Sequence, residues 1–283
     1  MPDFPIVDAH VHLWDPTHLR YGWLAGVPAL NRRNGPSEFR RACGPVAVAK
    51  LVFVQCECAP EQSLAEAEWV SALAAEDPRI RGIVAQAPLE LGDAVEPMLA
   101  RLARLPLVKG VRRLLQEERD DAFCVRPEFV RGVRRLAAHG FSFDACVFHR
   151  QLPAVVQLVR ACPEVRFVLD HLGKPGVRTG ALDPWRANLR DLATLPNVVC
   201  KLSGLATEAD WTTWRPEELR PYLDHALACF GPERVMFGGD WPVSTQAVAY
   251  GRWVEVLDAV VSDWPADLRH RLFVRNAEAF YRL

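Results

Sequence analysis

The chain has 283 residues, and its 34 lysines and arginines nearly balance its 35 aspartates and glutamates, for a formal net charge of -1. This length suits one elaborated (β/α)₈ barrel or two small domains. Long basic runs and basic amphipathic helices are absent, which argues against a protein that binds nucleic acid or a membrane surface. No apolar run approaches the roughly 20 residues that a membrane span needs.

The N-terminus and the cysteines indicate the compartment. The first ten residues, MPDFPIVDAH, lack the basic segment and the long apolar stretch of a secretory signal. The eight cysteines are scattered and form no CxxC pair. This pattern favours small buried hydrophobes in a reduced protein over disulfides or thiolate metal sites. We therefore expect a cytoplasmic protein.

Short apolar runs alternate along the chain with longer amphipathic stretches. The runs are rich in Val, Ile, Leu and Phe, as are strands that are buried on both faces of a parallel sheet. Eight strands are predicted, at Pro5–Ala9, Lys50–Cys56, Ile80–Gln86, Val108–Leu114, Phe141–Val147, Val165–Asp170, Asn197–Leu202 and Arg234–Gly239.

Helices are predicted between these strands. Several begin with proline, or just after Asp or Ser, as helix N-termini commonly do. They are Glu61–Glu76, Val95–Arg104, Pro127–Ala138, Leu152–Ala161, Pro184–Ala193, Pro216–Phe230, Ala247–Val261 and a final stretch, Pro265–Tyr281.

Strands that alternate with helices favour βαβ units and a parallel sheet. Eight repeats point to a closed barrel more than to an open doubly wound sheet, and no GxGxxG motif follows the first strand. We predict an α/β fold, a single TIM-type (β/α)₈ barrel over residues 1–283. Its active site is expected at the C-terminal ends of the strands.

Two connections are candidates for loops that cover the barrel mouth. From Leu13 to Ala49 no strand is predicted, and the segment after Lys201 carries Trp211 and Trp214. Long segments between barrel elements are usually functional loops. Both would lie over the active site if they follow strands one and seven.

The first predicted strand leads into a His-Val-His motif. Because side chains two residues apart on a strand share a face, His10 and His12 are expected to point into the barrel, with Val11 outside. Two adjacent imidazoles form a chelating pair for a borderline metal such as zinc. Two hydrogen-bonded histidines without a ligand give the same pattern, so the motif alone leaves both interpretations open.

Two further polar groups stand at strand ends. His171 follows the sixth strand and Asp240 follows the eighth. In a closed barrel the eighth strand neighbours the first, so Asp240 is expected close to His10 and His12. Burying a carboxylate is costly unless it is paired. The alternatives are a helix N-cap for Asp240 and a core histidine bonded to a carbonyl for His171.

At this point the sequence resembles a known family, the amidohydrolase-2 branch of the amidohydrolase superfamily. Within that branch it is most similar to the sugar lactonases and the pyrone-dicarboxylate lactone hydrolases. The resemblance runs nearly end to end and implies a distorted (β/α)₈ barrel that hydrolyses a ring ester. The motifs that carry it are DAHVHLWD at 8–15, KGVRRLLQ at 109–116, VLDHLGKP at 168–175, KLSGL at 201–205 and MFGGDWPV at 236–243.

The resemblance also implies the catalytic and metal-binding groups. By matching position they are His10, His12, His171 and Asp240. Asp240 would be the base for the attacking water, and one divalent ion, zinc by the chemistry of the ligands, would polarise the carbonyl. Without a metal the histidines would polarise the carbonyl as hydrogen-bond donors. Strand four offers arginines instead of a bridging ligand, which favours one metal ion or none over a binuclear centre.

Six residues near the predicted mouth are candidates for substrate binding. Arg112 lies where the family holds a substrate oxygen, although a salt bridge to a barrel carboxylate would explain it equally. Gln116 could donate to a hydroxyl group, and His149 could line the pocket or cap the helix at Leu152. The other three candidates are Lys201, Trp14 and Trp241.

These candidates describe a cationic pocket with flat apolar walls. Trp14 and Trp241 would form the walls and Lys201 would need a partner, whereas Lys174 is expected to be solvated. Such a pocket suits a polyhydroxylated aldonolactone. A dicarboxylated pyrone would need a second inward arginine, yet adjacent residues on a strand face opposite ways.

We therefore predict a lactonase that converts a sugar aldonolactone into a sugar acid. The alternatives are a 2-pyrone-4,6-dicarboxylate hydrolase, a metal-dependent decarboxylase of an aromatic or unsaturated acid, and a barrel that only binds a ligand. The last alternative predicts a missing catalytic group, whereas all four positions are filled. The expected partner is a small-molecule lactone, and the sequence leaves open whether the chain forms a homodimer.

Overall fold

Eight parallel strands form one sheet, in the order β1 to β8, in the computed structural model, which describes residues 1–283. Each strand pairs in parallel with the next, because the helix that follows each strand returns the chain to the same end of the sheet. The strands are β1 Ile6–Val11, β2 Val48–Val54, β3 Ile80–Ala85, β4 Val108–Val111, β5 Ser142–Ala145, β6 Phe167–Leu169, β7 Val198–Leu202 and β8 Val235–Phe237.

The sheet closes where the residues after β8 meet the end of β1. The amide of Asp240 donates to the carbonyl of His10 at 2.8 Å, and the amide of His12 donates to the carbonyl of Trp241 at 2.7 Å. Val11 and Trp241 form a parallel bridge between them. The predicted (β/α)₈ barrel is confirmed, and its closing contacts lie at the C-terminal ends of the strands.

Helices follow the strands and cover them with apolar side chains. Leu99, Leu189 and Leu257, from three different helices, are completely buried in one core of 88 residues. Burying each such side chain contributes about 1.5–3 kcal/mol. The helices are α1 Pro36–Cys43, α2 Ser63–Glu76, α3 Glu96–Leu102, α4 Pro127–Arg135, α5 Leu152–Ala161, α6 Trp185–Ala193, α7 Pro216–Phe230, α8 Tyr250–Val260, α9 Ala266–His270 and α10 Asn276–Tyr281.

Two parts of the chain differ from the sequence prediction. The connection from Leu13 to Ala49 contains helix α1, which was not predicted from the sequence. This short helix begins with Pro36 after Gly35, whose amide donates to the side chain of Glu38. The predicted final helix is interrupted, because a π-helical turn over Arg271–Arg275 separates α9 from α10.

A β-bulge in β1 decides which of its side chains reach the barrel interior. The register with β2 shifts between Asp8 and Val11, which adds one residue to β1 and changes the alternation of faces. The side chain of Asp8 therefore accepts a hydrogen bond from the hydroxyl of Tyr250 on α8, at 2.9 Å. In a regular strand Asp8 and His10, which are two residues apart, would lie on the same face. His10 and His12 remain together, as predicted.

Two smaller expectations concern the cysteines and membrane helices. All eight cysteines carry free thiols, and seven of them are buried. This agrees with the expectation of small hydrophobes without disulfides. None of the helices has both the length and the apolar character required to span a bilayer.

Candidate active site

Three imidazoles converge on one carboxylate oxygen at the mouth of the barrel. The Oδ1 atom of Asp240 lies 3.3 Å from Nε2 of His12, 3.7 Å from Nε2 of His10 and 4.0 Å from Nε2 of His171. All four side chains are buried. The four residues come from the ends of β1, β6 and β8, so the fold brings together the groups that the sequence predicted.

The two histidines of β1 are held through their other ring nitrogen. Nδ1 of His12 donates to the carbonyl of Val54 at 2.8 Å, and Nδ1 of His10 lies 3.3 Å from Oδ1 of Asp170. A carbonyl oxygen only accepts hydrogen bonds, so the ring proton of His12 belongs on Nδ1, and the Asp170 carboxylate favours the same tautomer for His10. The Nε2 lone pairs therefore face Asp240, which is how metal-binding histidines are oriented.

This arrangement fits one divalent metal ion. The ligand atoms of His10, His12 and Asp240 all lie within 4.8 Å of one another. The Nε2 atoms of His10 and His12 are 3.2 Å apart, and two such lone pairs repel unless a proton or a cation lies between them. Imidazole nitrogens and a carboxylate oxygen form a donor set that suits zinc and similar ions.

Burial and mutual attraction set the charges of the four groups. Burial opposes ionisation of Asp240, but the facing imidazoles, His171 foremost, outweigh it and hold the pKa of Asp240 well below its usual range. Burial lowers the pKa of His171 to about 4 and the pKa of His10 well below its usual value. Near neutral pH Asp240 is therefore a carboxylate, and the imidazoles of His10 and His171 are neutral.

The segment that carries His171 is a left-handed turn. His171, Leu172, Gly173 and Lys174 have φ values of 55°, 56°, 70° and 46°. Each non-glycine residue in this conformation costs about 1–2 kcal/mol, so surrounding contacts must hold the turn. The indole of Trp185 donates to the carbonyl of Leu172 at 2.7 Å. Strained backbone of this kind clusters at functional sites.

The KLSGL motif supports the same histidine from the end of β7. The hydroxyl of Ser203 lies 2.8 Å from Nδ1 of His171. A Cβ atom on Gly204 would lie only 2.5 Å from Nδ1 of His171 and 3.1 Å from Oδ2 of Asp240. Glycine is therefore required at position 204, both for this close approach and for its φ of +60°.

Lys201 of the same motif lies beneath the site. Its Nζ atom is 2.6 Å from Oδ2 of Asp144, 3.1 Å from Oδ1 of Asp170 and 3.5 Å from Nδ1 of His10. Burial alone would lower the pKa of Lys201, but the charges of Asp144 and Asp170 have the larger effect and raise this pKa above its usual value. The expectation that Lys201 contacts substrate is wrong, because its side chain is fully buried. Its predicted need for a partner is met by the two aspartates, and Tyr281 also donates to Asp144.

Arg112 reaches the site from the end of β4. Its Nη1 atom lies 3.3 Å from Oδ2 of Asp170 and 3.4 Å from Nε2 of His10, and its Nη2 atom donates to the carbonyl of Gln55 at 2.6 Å. The expected salt bridge is therefore present. The Nε–H group of Arg112 is buried without a partner, which leaves one donor for a ligand.

The two tryptophans do not form walls for a ligand. Trp14 is fully buried, and its indole donates to the carbonyls of Leu30 and Arg32. Trp241 is also buried, with its ring 5.3 Å from that of Phe39. The prediction of flat aromatic walls is wrong, because both rings are packed against other side chains in the interior.

Gln116 and His149 lie on the rim. The Oε1 atom of Gln116 accepts from Nζ of Lys174 and, at 3.4 Å, from the thiol of Cys146. His149 makes no side-chain cap for the helix that begins at Leu152, so the capping alternative is wrong. Its partly buried Nδ1 atom has no partner.

Several residues around the site were missed in the sequence analysis or given no role. Asp170 could have been noticed, because a carboxylate at the end of an apolar strand needs a partner. Lys174 was expected to be solvated, yet its side chain is 16% exposed. The polar residues added by the structure are Asp144, Asp170, Lys174, Ser203 and Glu208.

The eight-stranded parallel barrel, with three imidazoles and one carboxylate at its mouth, has the architecture of a barrel enzyme and a donor set that suits a divalent ion. The chain belongs to the amidohydrolase family, whose family model matches residues 7–283.

Curated relatives and a solved structure agree with this assignment. The chain is 38% identical over 269 residues to an L-fucono-1,5-lactonase of Burkholderia multivorans, covering 88% of each protein. It is 33% identical to an L-fucono-1,5-lactonase of Burkholderia ambifaria, over 98% of this chain and 95% of that protein. A crystal structure of an amidohydrolase from Burkholderia multivorans with bound zinc superposes with a TM-score of 0.88, at 35% identity over 99% of this chain and 100% of that chain.

Proposed function

We propose that this protein hydrolyses a sugar 1,5-lactone to the open-chain sugar acid. The observation that carries the proposal is the convergence of three Nε2 atoms on Oδ1 of Asp240. The two Burkholderia relatives named L-fucono-1,5-lactonase point to a 6-deoxyhexono-1,5-lactone as the first substrate to test.

In the proposed reaction Asp240 accepts a proton from the water that attacks the lactone carbonyl. The water oxygen bonds to the carbonyl carbon, the bond from that carbon to the ring oxygen breaks, and Asp240 returns the proton to the leaving alkoxide. The low pKa of Asp240 ensures that this carboxylate is ionised at neutral pH. The buried imidazoles of His10, His12 and His171 surround it.

The proposed cofactor is one zinc ion, which His10, His12 and Asp240 would hold, with His171 as a fourth ligand that lies 4.0 Å from Asp240. When bound, such an ion polarises the carbonyl group and lowers the pKa of water. The close approach of two imidazole nitrogens and a carboxylate oxygen favours the metal-assisted option over the metal-independent one. Arg112 would offer its unpartnered Nε–H group to the developing oxyanion.

The charges near the mouth favour a neutral substrate over a dicarboxylated pyrone. Arg113 points away from Arg112, as predicted, and pairs with Glu90 and Glu118 at 3.1 and 2.6 Å. Arg150 pairs with Asp121 at 2.8 Å. Neither of these two arginines is therefore free to bind a second substrate carboxylate.

A substrate panel at neutral pH tests the proposal. Purified protein is mixed with L-fucono-1,5-lactone, other aldonolactones and 2-pyrone-4,6-dicarboxylate, and acid release is followed with a pH indicator. Heat-inactivated protein corrects for spontaneous hydrolysis. In parallel, aromatic acids are tested for CO₂ release. We expect the fastest turnover with a sugar 1,5-lactone, whereas CO₂ release without lactone turnover would overturn the proposal.

A further inference from the structure

Two oppositely charged side chains face each other near the barrel mouth without a close contact. Nζ of Lys174 lies 4.0 Å from Oε1 of Glu208, and the side chains are only 16% and 19% exposed. A charge-assisted hydrogen bond between them would span about 2.7–2.9 Å. The pair is therefore open, and each group keeps hydrogen-bonding capacity for a ligand.

The left-handed turn places Lys174 on the side of the barrel where His171 lies. Residues three apart in a turn with about three residues per turn share a face, and His171 and Lys174 are three apart. The Nζ atom of Lys174 donates to Gln116 and lies 5.4 Å from the ring centre of Phe148. Lys174 itself adopts a φ of 46°, as part of the same strained turn.

Glu208 lies on the loop after β7, the strand that neighbours β6 in the sheet. It ends the 3₁₀ turn over Leu205–Glu208, which begins directly after Gly204. Gly204 lies against both His171 and Asp240. Burial, together with the nearby charge of Asp240, raises the pKa of Glu208, and Lys174 opposes this shift. The loop that carries Glu208 therefore starts beside the reaction centre, and its carboxylate faces Lys174 at 4.0 Å.

We propose that Lys174 and Glu208 form a specificity-determining pair that binds hydroxyl groups of the lactone ring. The ammonium group donates to one hydroxyl oxygen, and the carboxylate accepts from a hydroxyl on a neighbouring ring carbon. The two charges cancel, so the pair selects a neutral polyol over an anion. This inference rests on the proposed function, because it names the part of the sugar lactone that the site recognises.

A pocket that is built to bind a hydroxyl group rejects an analogue that lacks it, because its buried polar groups are then left unpaired. Replacement of either residue should therefore affect hydroxylated and unsubstituted substrates differently. A role in folding or in the chemical step would affect both substrates alike.

The first experiment compares Glu208→Gln and Lys174→Met with wild type on two six-membered lactones. One is L-fucono-1,5-lactone and the other is δ-valerolactone, which carries no hydroxyl group. Each variant should lower kcat/KM for the hydroxylated lactone by about 10- to 100-fold, mainly through KM, and change it for δ-valerolactone by less than about 3-fold. Glu217→Gln, an exposed glutamate on α7, is the matched control.

The second experiment measures binding without turnover. A polyhydroxylated 1,5-lactam is titrated calorimetrically into wild type, Glu208→Gln, Lys174→Met and Glu217→Gln. The first two variants should bind at least about 10-fold more weakly than wild type and Glu217→Gln. Equal binding by all four proteins would overturn the proposal that Lys174 and Glu208 bind the ring hydroxyl groups. An equal loss of rate on both lactones would also overturn it. If wild type hydrolyses no lactone at all, the proposed function fails instead.

Discussion

Lys201 and Asp170 lie 3.1 Å apart, from Nζ to Oδ1, and both side chains are completely buried. Asp170 in turn faces Nδ1 of His10 at 3.3 Å and Nη1 of Arg112, also at 3.3 Å. The charge of Lys201 thus compensates the carboxylate that orients His10. A buried ion pair of this kind is costly to break, because removal of one partner leaves the other charge unpaired.

Lys201→Met should therefore destabilise the fold severely. The substitution keeps an unbranched side chain but leaves Asp144 and Asp170 without their ammonium partner, for an expected loss of about 3–5 kcal/mol in the free energy of unfolding. Urea denaturation followed by circular dichroism measures this change. Lys109→Met is the control, since Lys109 only donates to a backbone carbonyl at the surface. Equal stabilities for the two variants would contradict the account of the buried network.

Adjacent arginines provide a matched pair for a test of catalysis. Arg112→Lys keeps the positive charge but loses the planar set of donors between Asp170 and the site, so kcat should fall by about 100-fold. Arg113→Lys changes only a residue that pairs with Glu90 and Glu118. Steady-state kinetics on the same lactone compare them. Comparable activity in both variants would remove Arg112 from the proposed mechanism.

A buried glutamate predicts how stability depends on pH. Glu66 on α2 accepts from the amide of Cys56 at 3.2 Å, and burial raises its pKa from 4.5 to about 8. Between these pH values the folded protein holds a proton that the unfolded chain has released. The Glu66 contribution to the free energy of unfolding should therefore fall as pH rises through this window, by up to about 1.4 kcal/mol per pH unit.

The comparison of Glu66→Gln with wild type isolates this effect. Glutamine still accepts from the amide of Cys56 but does not titrate, so the stability difference between the two proteins should shift in favour of the variant from pH 5 to pH 8. Glu68→Gln, an exposed position on the same helix, should track wild type throughout. Chemical denaturation at several pH values gives the comparison, and parallel curves for wild type and Glu66→Gln would refute the prediction.

The donor set predicts how much metal the protein binds. After purification without chelator, elemental analysis should find close to one divalent ion per chain in wild type. His12→Ala removes an Nε2 atom that faces Asp240 and should reduce this content well below one. His18→Ala, an exposed histidine on the neighbouring loop, should leave it unchanged. An unaltered metal content in His12→Ala would count against the proposed ligands.

The strands and the convergence of His10, His12, His171 and Asp240 were predictable from sequence. The reason is that buried strands of a barrel are short, apolar and regularly spaced, and that their C-terminal ends meet at one place. The short amphipathic helix α1 was not predicted. Its eight residues include three arginine or glutamate side chains, a composition that is also typical of a loop.

Other features depend on tertiary contacts that periodicity does not reveal. Trp14 and Trp241 flank the catalytic motifs, but the sequence does not show that both rings face inward under the loops. Lys201 was recognised as unusual in an apolar strand, whereas its partner Asp144 lies 57 positions away in the chain. The left-handed turn at His171 has only Gly173 as a local signal, because the surrounding structure holds the other residues in that conformation.

The most direct test of the central claim is the rate of lactone hydrolysis by Asp240→Asn, measured with L-fucono-1,5-lactone at neutral pH. Asparagine keeps the shape of the side chain and removes its basicity, so kcat should fall by about 10²- to 10⁴-fold while the circular dichroism spectrum stays that of wild type. Turnover close to the wild-type rate in the folded variant would contradict the role of this carboxylate.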